Sequence, residues 1–93
     1  FMSETVQRTL NIINEKGLHA RASAKFVEVT EGFEASADVS REGMNATGDS
    51  IMGLLMLAAS KGTSINVETC GPDAIALADA LEALVADRFG EDV

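Results

Sequence analysis

Residues 5–33 have the sequence TVQRTLNIINEKGLHARASAKFVEVTEGF, in which the spacing of the apolar side chains changes partway along. Thr5–Ile13 alternates between apolar and polar residues, which is typical of a β-strand. Asn14–Gly17 is a cluster of turn-forming residues. From His19 onward the apolar residues are three or four apart, which predicts an amphipathic helix that ends near Gly32. The chain therefore passes from strand to helix beside its only histidine.

The rest of the chain shows the same two periods. It predicts five further elements, namely strands over Ala35–Arg41 and Met44–Thr47, a helix over Ser50–Ser60, a strand over Thr63–Thr69, and a helix that opens at Gly71-Pro72-Asp73 and ends at Gly90. Glu42-Gly43 fits the hairpin turn between the first two of these strands. The order βαββαβα, without a linker or repeat, predicts one α+β domain over residues 2–93, with an antiparallel sheet and its helices on one face. Phe1, which precedes Met2, is interpreted as a residue left from expression.

Composition excludes several classes of function. The 93 residues include seven Lys and Arg against 15 Asp and Glu, a net charge of −8 that argues against nucleic-acid binding. One cysteine, Cys70, and one histidine predict neither a disulfide nor a metal site, and no cofactor motif is present. The longest apolar stretch, Ile51–Ala59, is too short to cross a membrane, and the N-terminal residues lack an apolar leader. We therefore expect a cytoplasmic protein.

His19 is the candidate site of chemistry. The N-terminus of a helix offers unpaired N–H groups and a positive dipole end, both of which suit a phosphate. Neutral imidazole is a nucleophile, and Arg21 adds a permanently charged phosphate ligand. Gly17 allows a sharp turn before the histidine, and the small Ala20 allows close approach by a macromolecule. We interpret His19 as a phosphoryl acceptor; the alternative is a histidine that only caps the helix or is solvated.

At these residues the chain resembles the phosphocarrier protein HPr family of the bacterial phosphoenolpyruvate-dependent phosphotransferase system. The resemblance lies in Asn14-Glu15-Lys16-Gly17-Leu18-His19-Ala20-Arg21 and in Asp49-Ser50-Ile51-Met52-Gly53-Leu54-Leu55, and it covers nearly the whole chain. It implies an open-faced β-sandwich of four antiparallel strands and three helices. It also implies that His19 accepts a phosphoryl group on Nδ1 from Enzyme I and passes it to an Enzyme II A-type domain, while Arg21 binds that group. The chain would then be a monomeric intermediate of phosphoryl transfer rather than a stand-alone enzyme.

One residue departs from the family pattern. The family usually has proline directly after the arginine, whereas this chain has Ala22. Since both residues fit a first helical turn, the change is expected to loosen the turn slightly without abolishing transfer.

Ser50 has two compatible roles. Its hydroxyl fits the N-cap of the next helix, a contribution of about 1 kcal/mol. The resemblance implies that Ser50 is also a regulatory phosphorylation site for a dedicated HPr kinase/phosphorylase. A phosphoserine there adds a charge of about −2 and would obstruct the docking of Enzyme I.

The helix after Ser50 is apolar around its whole circumference, which predicts a docking patch. We expect Leu54, Leu55 and Ala58 to contribute to the core, while some of Ile51, Met52 and Met56 stay exposed. The residues predicted to contact partners are Ala20, Ile51, Met52, Leu55 and Met56.

Two other functions compete with sugar phosphotransfer. A regulatory phosphocarrier of a nitrogen-related chain, without sugar transport, would need His19 equally. An acyl carrier protein would use Ser50, since Asp49-Ser50-Ile51 is similar to the site that carries phosphopantetheine. An acyl carrier is a helical bundle, however, and Thr5–Ile13 and Thr63–Thr69 predict strands.

Overall fold

The computed structural model describes residues 4–93, so Phe1, interpreted above as a residue left from expression, lies outside the described residues. The elements in chain order are β1 (Glu4–Asn11), α1 (Ala20–Glu31), β2 (Ser36–Arg41), β3 (Met44–Thr47), α2 (Ile51–Met56), β4 (Ser64–Gly71) and α3 (Ala74–Ala86), with a 3-10 turn at Arg88–Gly90. This order confirms the predicted βαββαβα arrangement. Within residues 4–93, the helices are too short or too polar to cross a membrane.

The four strands form one antiparallel sheet in the order β1-β4-β2-β3. The register places Leu10 opposite Ile65 and Val39 opposite Val67, and these four side chains are buried. Because strand side chains alternate, one face of the sheet is apolar and carries the helices while the other faces solvent. The predicted α+β sandwich with three helices is confirmed, and its sheet excludes the helical bundle of an acyl carrier.

The core lies between this apolar face and the helices. It includes a fully buried side chain from every helix and from the turn that follows α3: Phe26, Leu54, Leu77, Leu81 and Phe89. Phe89 belongs to the 3-10 turn, so the segment after α3 is fastened to the core.

The prediction for α2 was wrong at its C-terminal end. The helix ends at Met56 rather than Ser60, and Ala58 takes a left-handed backbone with φ 52°. This turn brings the Ala59 carbonyl to the Leu18 N–H, which donates a hydrogen bond of 2.9 Å. As a result Ala58 is exposed rather than in the core, and Leu55 is only half-buried. A tertiary backbone hydrogen bond therefore overrides the local helical pattern.

Candidate functional site

His19 is the N-cap of α1, as the change of period predicted. Its backbone is extended, and its Nδ1 accepts a hydrogen bond of 3.3 Å from the Arg21 N–H. An acceptor nitrogen has no proton, so the Nδ1 lone pair lies at the positive end of the helix. This nitrogen is therefore the ring atom whose lone pair faces the start of α1.

Gly17 fixes how the chain enters His19. Its φ is +66°, and a Cβ at this position would lie 2.5 Å from the Ala59 carbonyl oxygen and 2.9 Å from the Ser60 Cα. Those atoms belong to the backbone and cannot rotate aside. Only glycine permits the close packing that sets Leu18 against Ala59 and delivers His19 to the helix start.

The other ring nitrogen contacts a residue that the sequence did not suggest. Glu91 accepts a hydrogen bond from His19 Nε2 through its Oε2 atom. Its second carboxylate oxygen accepts from the Asn14 side-chain amide at 3.0 Å, and the same amide donates to the Gly17 carbonyl at 2.8 Å. Since a carboxylate only accepts at neutral pH, Nε2 carries the proton and the ring is the Nε2–H tautomer.

The charge state of Glu91 follows from these contacts. The hydrogen bond from His19 is the main cause that lowers the pKa of the Glu91 carboxyl; the Asn14 amide and the Lys16 charge lower it further, and burial opposes them. Glu91 is therefore ionised at neutral pH.

Glu91 is held in place by the segment that follows α3. Arg88 and Phe89 both have left-handed backbone angles, φ 56° and 54°, which turn the chain back toward α1. Phe89 is fully buried, and its carbonyl accepts a hydrogen bond of 2.6 Å from the Lys25 ammonium. Farther along, the Val93 carbonyl accepts from the Glu15 N–H at 3.2 Å. Glu91 thus lies between two residues, Phe89 and Val93, that are each hydrogen-bonded to the N-terminal part of the chain.

His19 opens onto a cleft of about 600 Å³ between the start of α1 and this last segment. Lys16, Arg21 and Lys25 line the cleft with the small Ala20. Three cationic side chains and a helix N-terminus suit an oxyanion such as a phosphoryl group, although Glu91 and Asp92 also line the cleft and add two negative charges. Within residues 4–93, no three His, Cys, Asp or Glu side chains are placed to hold a metal ion.

The predicted docking residues lie mostly on the surface of α2. Met52 and Met56 are 69% and 70% exposed and Ile51 is 42% exposed, whereas Leu54 is fully buried. Leu55 lines a second, shallow groove with His19, Leu18 and Lys16. The apolar surface of α2 therefore adjoins the histidine.

Ser50 lies at the opposite end of α2 from that groove. It is the helix N-cap, and its hydroxyl accepts a hydrogen bond of 3.0 Å from the Gly53 N–H. It lines neither the cleft nor the groove beside His19. Leu55 is five positions farther along the chain, a rise of about 7.5 Å along the axis of α2.

Ala22, the residue that departs from the family pattern, is fully buried as the third residue of α1. The N–H at this position is one of those that a helix leaves without an internal partner, so proline and alanine satisfy the backbone equally.

Comparison with known proteins gives a consistent result. Residues 6–87 match the family model described as the PTS HPr component phosphorylation site. The phosphocarrier protein HPr of Cupriavidus necator is 49% identical over 86 residues, which is 92% of this chain and 97% of that protein. The phosphocarrier protein NPr of Escherichia coli K12 is 39% identical over 89 residues, 95% of this chain and 99% of that one. The structure of HPr-C-His from Thermoanaerobacter tengcongensis superposes with a TM-score of 0.89 at 32% identity, covering 95% of this chain and 99% of that chain.

Proposed function

The chain belongs to the HPr family of phosphocarrier proteins, and we propose that it carries a phosphoryl group on His19, taken from Enzyme I and passed to Enzyme II A-type domains. The observation that carries this proposal is the orientation of the imidazole, which presents an unprotonated Nδ1 at the N-terminus of α1. The protein acts as a relay between two partners, as a monomer in the cytoplasm.

The proposed transfer forms one bond and breaks one bond. The Nδ1 lone pair attacks phosphorus, the new N–P bond forms, and the bond to the donor histidine of Enzyme I breaks with its electron pair left on that nitrogen. The Arg21 N–H, which caps Nδ1 before the reaction, is then placed to donate to a phosphoryl oxygen. Positioning and charge stabilisation supply most of the catalysis in such transfers.

Arg21 binds the phosphoryl group through its side chain. It is the second residue of α1, is exposed, and lines the same cleft as His19. A guanidinium offers paired donors to phosphoryl oxygens and keeps its charge at any physiological pH. Lys16 and Lys25 add positive charge at the rim of the cleft.

Partners dock on Ala20 and on the exposed face of α2. Ile51, Met52 and Met56 supply an apolar patch, and Leu55 connects that patch to the groove beside His19. Methionine side chains adapt to different shapes, which suits a surface that meets Enzyme I and an Enzyme II domain in turn. Isolated exposed apolar residues are common, but these lie on one short helix whose Leu55 lines the groove beside His19.

Ser50 regulates this docking if the host has an HPr kinase/phosphorylase. The hydroxyl is half-buried as an N-cap, and Ile51 and Met52 follow it directly on the docking face. A phosphate here would add about two negative charges to an apolar contact surface. The expected effect is weaker binding of Enzyme I with the fold retained.

The second candidate is phosphotransfer in a nitrogen-related chain. The observation in its favour is the 39% identity to a phosphocarrier protein NPr. Transfer rates measured with purified Enzyme I of the sugar type and of the nitrogen type would distinguish the two. A large preference for the nitrogen-type enzyme would replace the sugar assignment and leave the role of His19 intact.

The test of the proposed site uses His19→Ala together with His19→Asn. Asparagine is a good N-cap residue without a nucleophilic nitrogen, so this variant separates loss of chemistry from loss of the cap. Both variants should fold and take no label from phosphoenolpyruvate and Enzyme I. Acid-labile label retained by folded His19→Asn would show that phosphate is carried elsewhere.

A further inference from the structure

We propose that Glu91 is a positioning residue for phosphoryl transfer, which selects the reactive tautomer of His19 and keeps Nε2 protonated while Nδ1 carries the phosphate. This inference rests on the proposed function of His19. Its basis is the contact between the Glu91 carboxylate and Nε2, on the side of the ring opposite to the nucleophilic nitrogen.

The placement of Glu91 is built into the fold. A carboxylate has two acceptor oxygens, and here one takes the proton of His19 Nε2 while the other takes the amide of Asn14. The orientation of that amide is fixed, since its nitrogen meets two acceptors, Glu91 and the Gly17 carbonyl. Asn14 is fully buried, and its own Oδ1 has no partner among residues 4–93. A buried amide with one unsatisfied oxygen is costly, which is consistent with a role in holding Glu91.

The proton on Nε2 decides how well His19 releases its phosphate. When the N–P bond breaks, its electron pair returns to Nδ1. If Nε2 holds a proton, the departing group is neutral imidazole; if it does not, the departing group is the imidazolate anion, which is far less stable. A carboxylate beside Nε2 stabilises the positively charged, phosphorylated ring, just as a buried carboxylate stabilises the imidazolium of a hydrolase triad.

Other charged groups also face the imidazole. Arg21 and Lys25 from α1 and Lys16 from the preceding turn disfavour a protonated ring, whereas Asp92 adds a second negative charge from the last segment. The phosphoryl group itself favours the proton. Glu91 differs from Asp92 because it bonds directly to Nε2.

Two variants with the same change in charge test this role. Glu91→Gln removes the charge and replaces one of the two acceptor oxygens with an NH₂ donor, so the side chain in the same position cannot accept from both His19 and Asn14. Asp92→Asn removes the same charge one residue away. The first measurement is ¹⁵N NMR of the His19 ring in the unphosphorylated protein near pH 8. Wild type and Asp92→Asn should show the Nε2–H tautomer alone, and Glu91→Gln should show a mixture.

The second measurement is the pH dependence of phosphohistidine hydrolysis. The pH at which the phosphorylated ring loses its proton should fall by about one unit in Glu91→Gln, the effect of one opposite charge in contact, and by much less in Asp92→Asn. Above that pH, the rate of phosphoryl transfer from Glu91→Gln to the acceptor should fall by up to about tenfold. An unmixed tautomer and an unmoved midpoint in Glu91→Gln would overturn the role of Glu91. A wild-type protein that takes no phosphate would instead overturn the proposed function, and the tautomer measurement would still report on the contact.

Discussion

The substitution Gly17→Ala tests how the fold delivers His19 to its helix. Gly17 has φ +66°, and a Cβ there would lie 2.5 Å from the Ala59 carbonyl oxygen. A left-handed backbone costs a non-glycine residue about 1–2 kcal/mol, partly offset by about 0.4–1 kcal/mol from the stiffer unfolded chain. To relieve the contact, Leu18 must move away from Ala59, and the loss of their hydrogen bond costs about 1–3 kcal/mol more. The free energy of unfolding should fall by about 1–4.5 kcal/mol.

A second glycine supplies the matched control. Gly43 also has a left-handed backbone, with φ +82°, but a Cβ there would meet nothing within 4 Å. Gly43→Ala should therefore show only the backbone cost, about 1 kcal/mol or less. Urea denaturation of both variants gives the difference, and the initial rate of labelling by Enzyme I shows whether His19 is displaced. If Gly17→Ala loses no more stability than Gly43→Ala and accepts phosphate at the wild-type rate, the contact with Ala59 does not position the histidine.

The remaining predictions concern docking, regulation and pH. Met52→Glu should slow transfer from Enzyme I at least tenfold with little change in thermal stability, because Met52 is 69% exposed. The control Ile75→Glu, on α3 and 46% exposed, should leave both the transfer rate and the thermal stability nearly unchanged. Cooperative unfolding of Met52→Glu at a much lower temperature would place Met52 in the core. Ser50→Ala should lose about 1 kcal/mol of stability with normal docking, and Ser50→Asp should keep the cap and weaken docking; equal docking in both would reject regulation by charge. The pKa of the Glu91 carboxyl is lowered in the folded state, so the ionised carboxylate stabilises the fold fully above the usual pKa of 4.5. This stabilisation is lost as the pH falls through the lower pKa of the folded state. The difference in melting temperature between wild type and Glu91→Gln should therefore shrink as the pH falls below about 4.5, and a constant difference would contradict the ion-pair contact.

Local sequence patterns were sufficient for most of the fold. The alternation in Thr5–Ile13 and the change of period at His19 correspond to β1 and α1, because burial on one side imposes those periods. The end of α2 could not be predicted, since it depends on the hydrogen bond between Leu18 and Ala59, which are distant in sequence.

Only the part of the site at the start of α1 could be predicted from the sequence. His19 and Arg21 are two residues apart in sequence, and both lie in the segment that resembles the HPr family. Glu91 lies 72 residues from His19, and one acidic residue near the end of an acidic chain carries no local signal. Its partner Asn14 looked like an ordinary turn residue. The structure shows the return of the last segment to the histidine through the left-handed turn at Phe89, the burial of that side chain and the contact of Glu91 with His19.

The proposed function requires that Nδ1 of His19 carries the phosphate. The most direct test is ¹⁵N and ³¹P NMR of the ring-labelled protein after incubation with phosphoenolpyruvate and purified Enzyme I. We expect a single phosphate, coupled to Nδ1 of His19, with the proton retained on Nε2. Phosphate coupled to Nε2, or attached to any other residue, would contradict it.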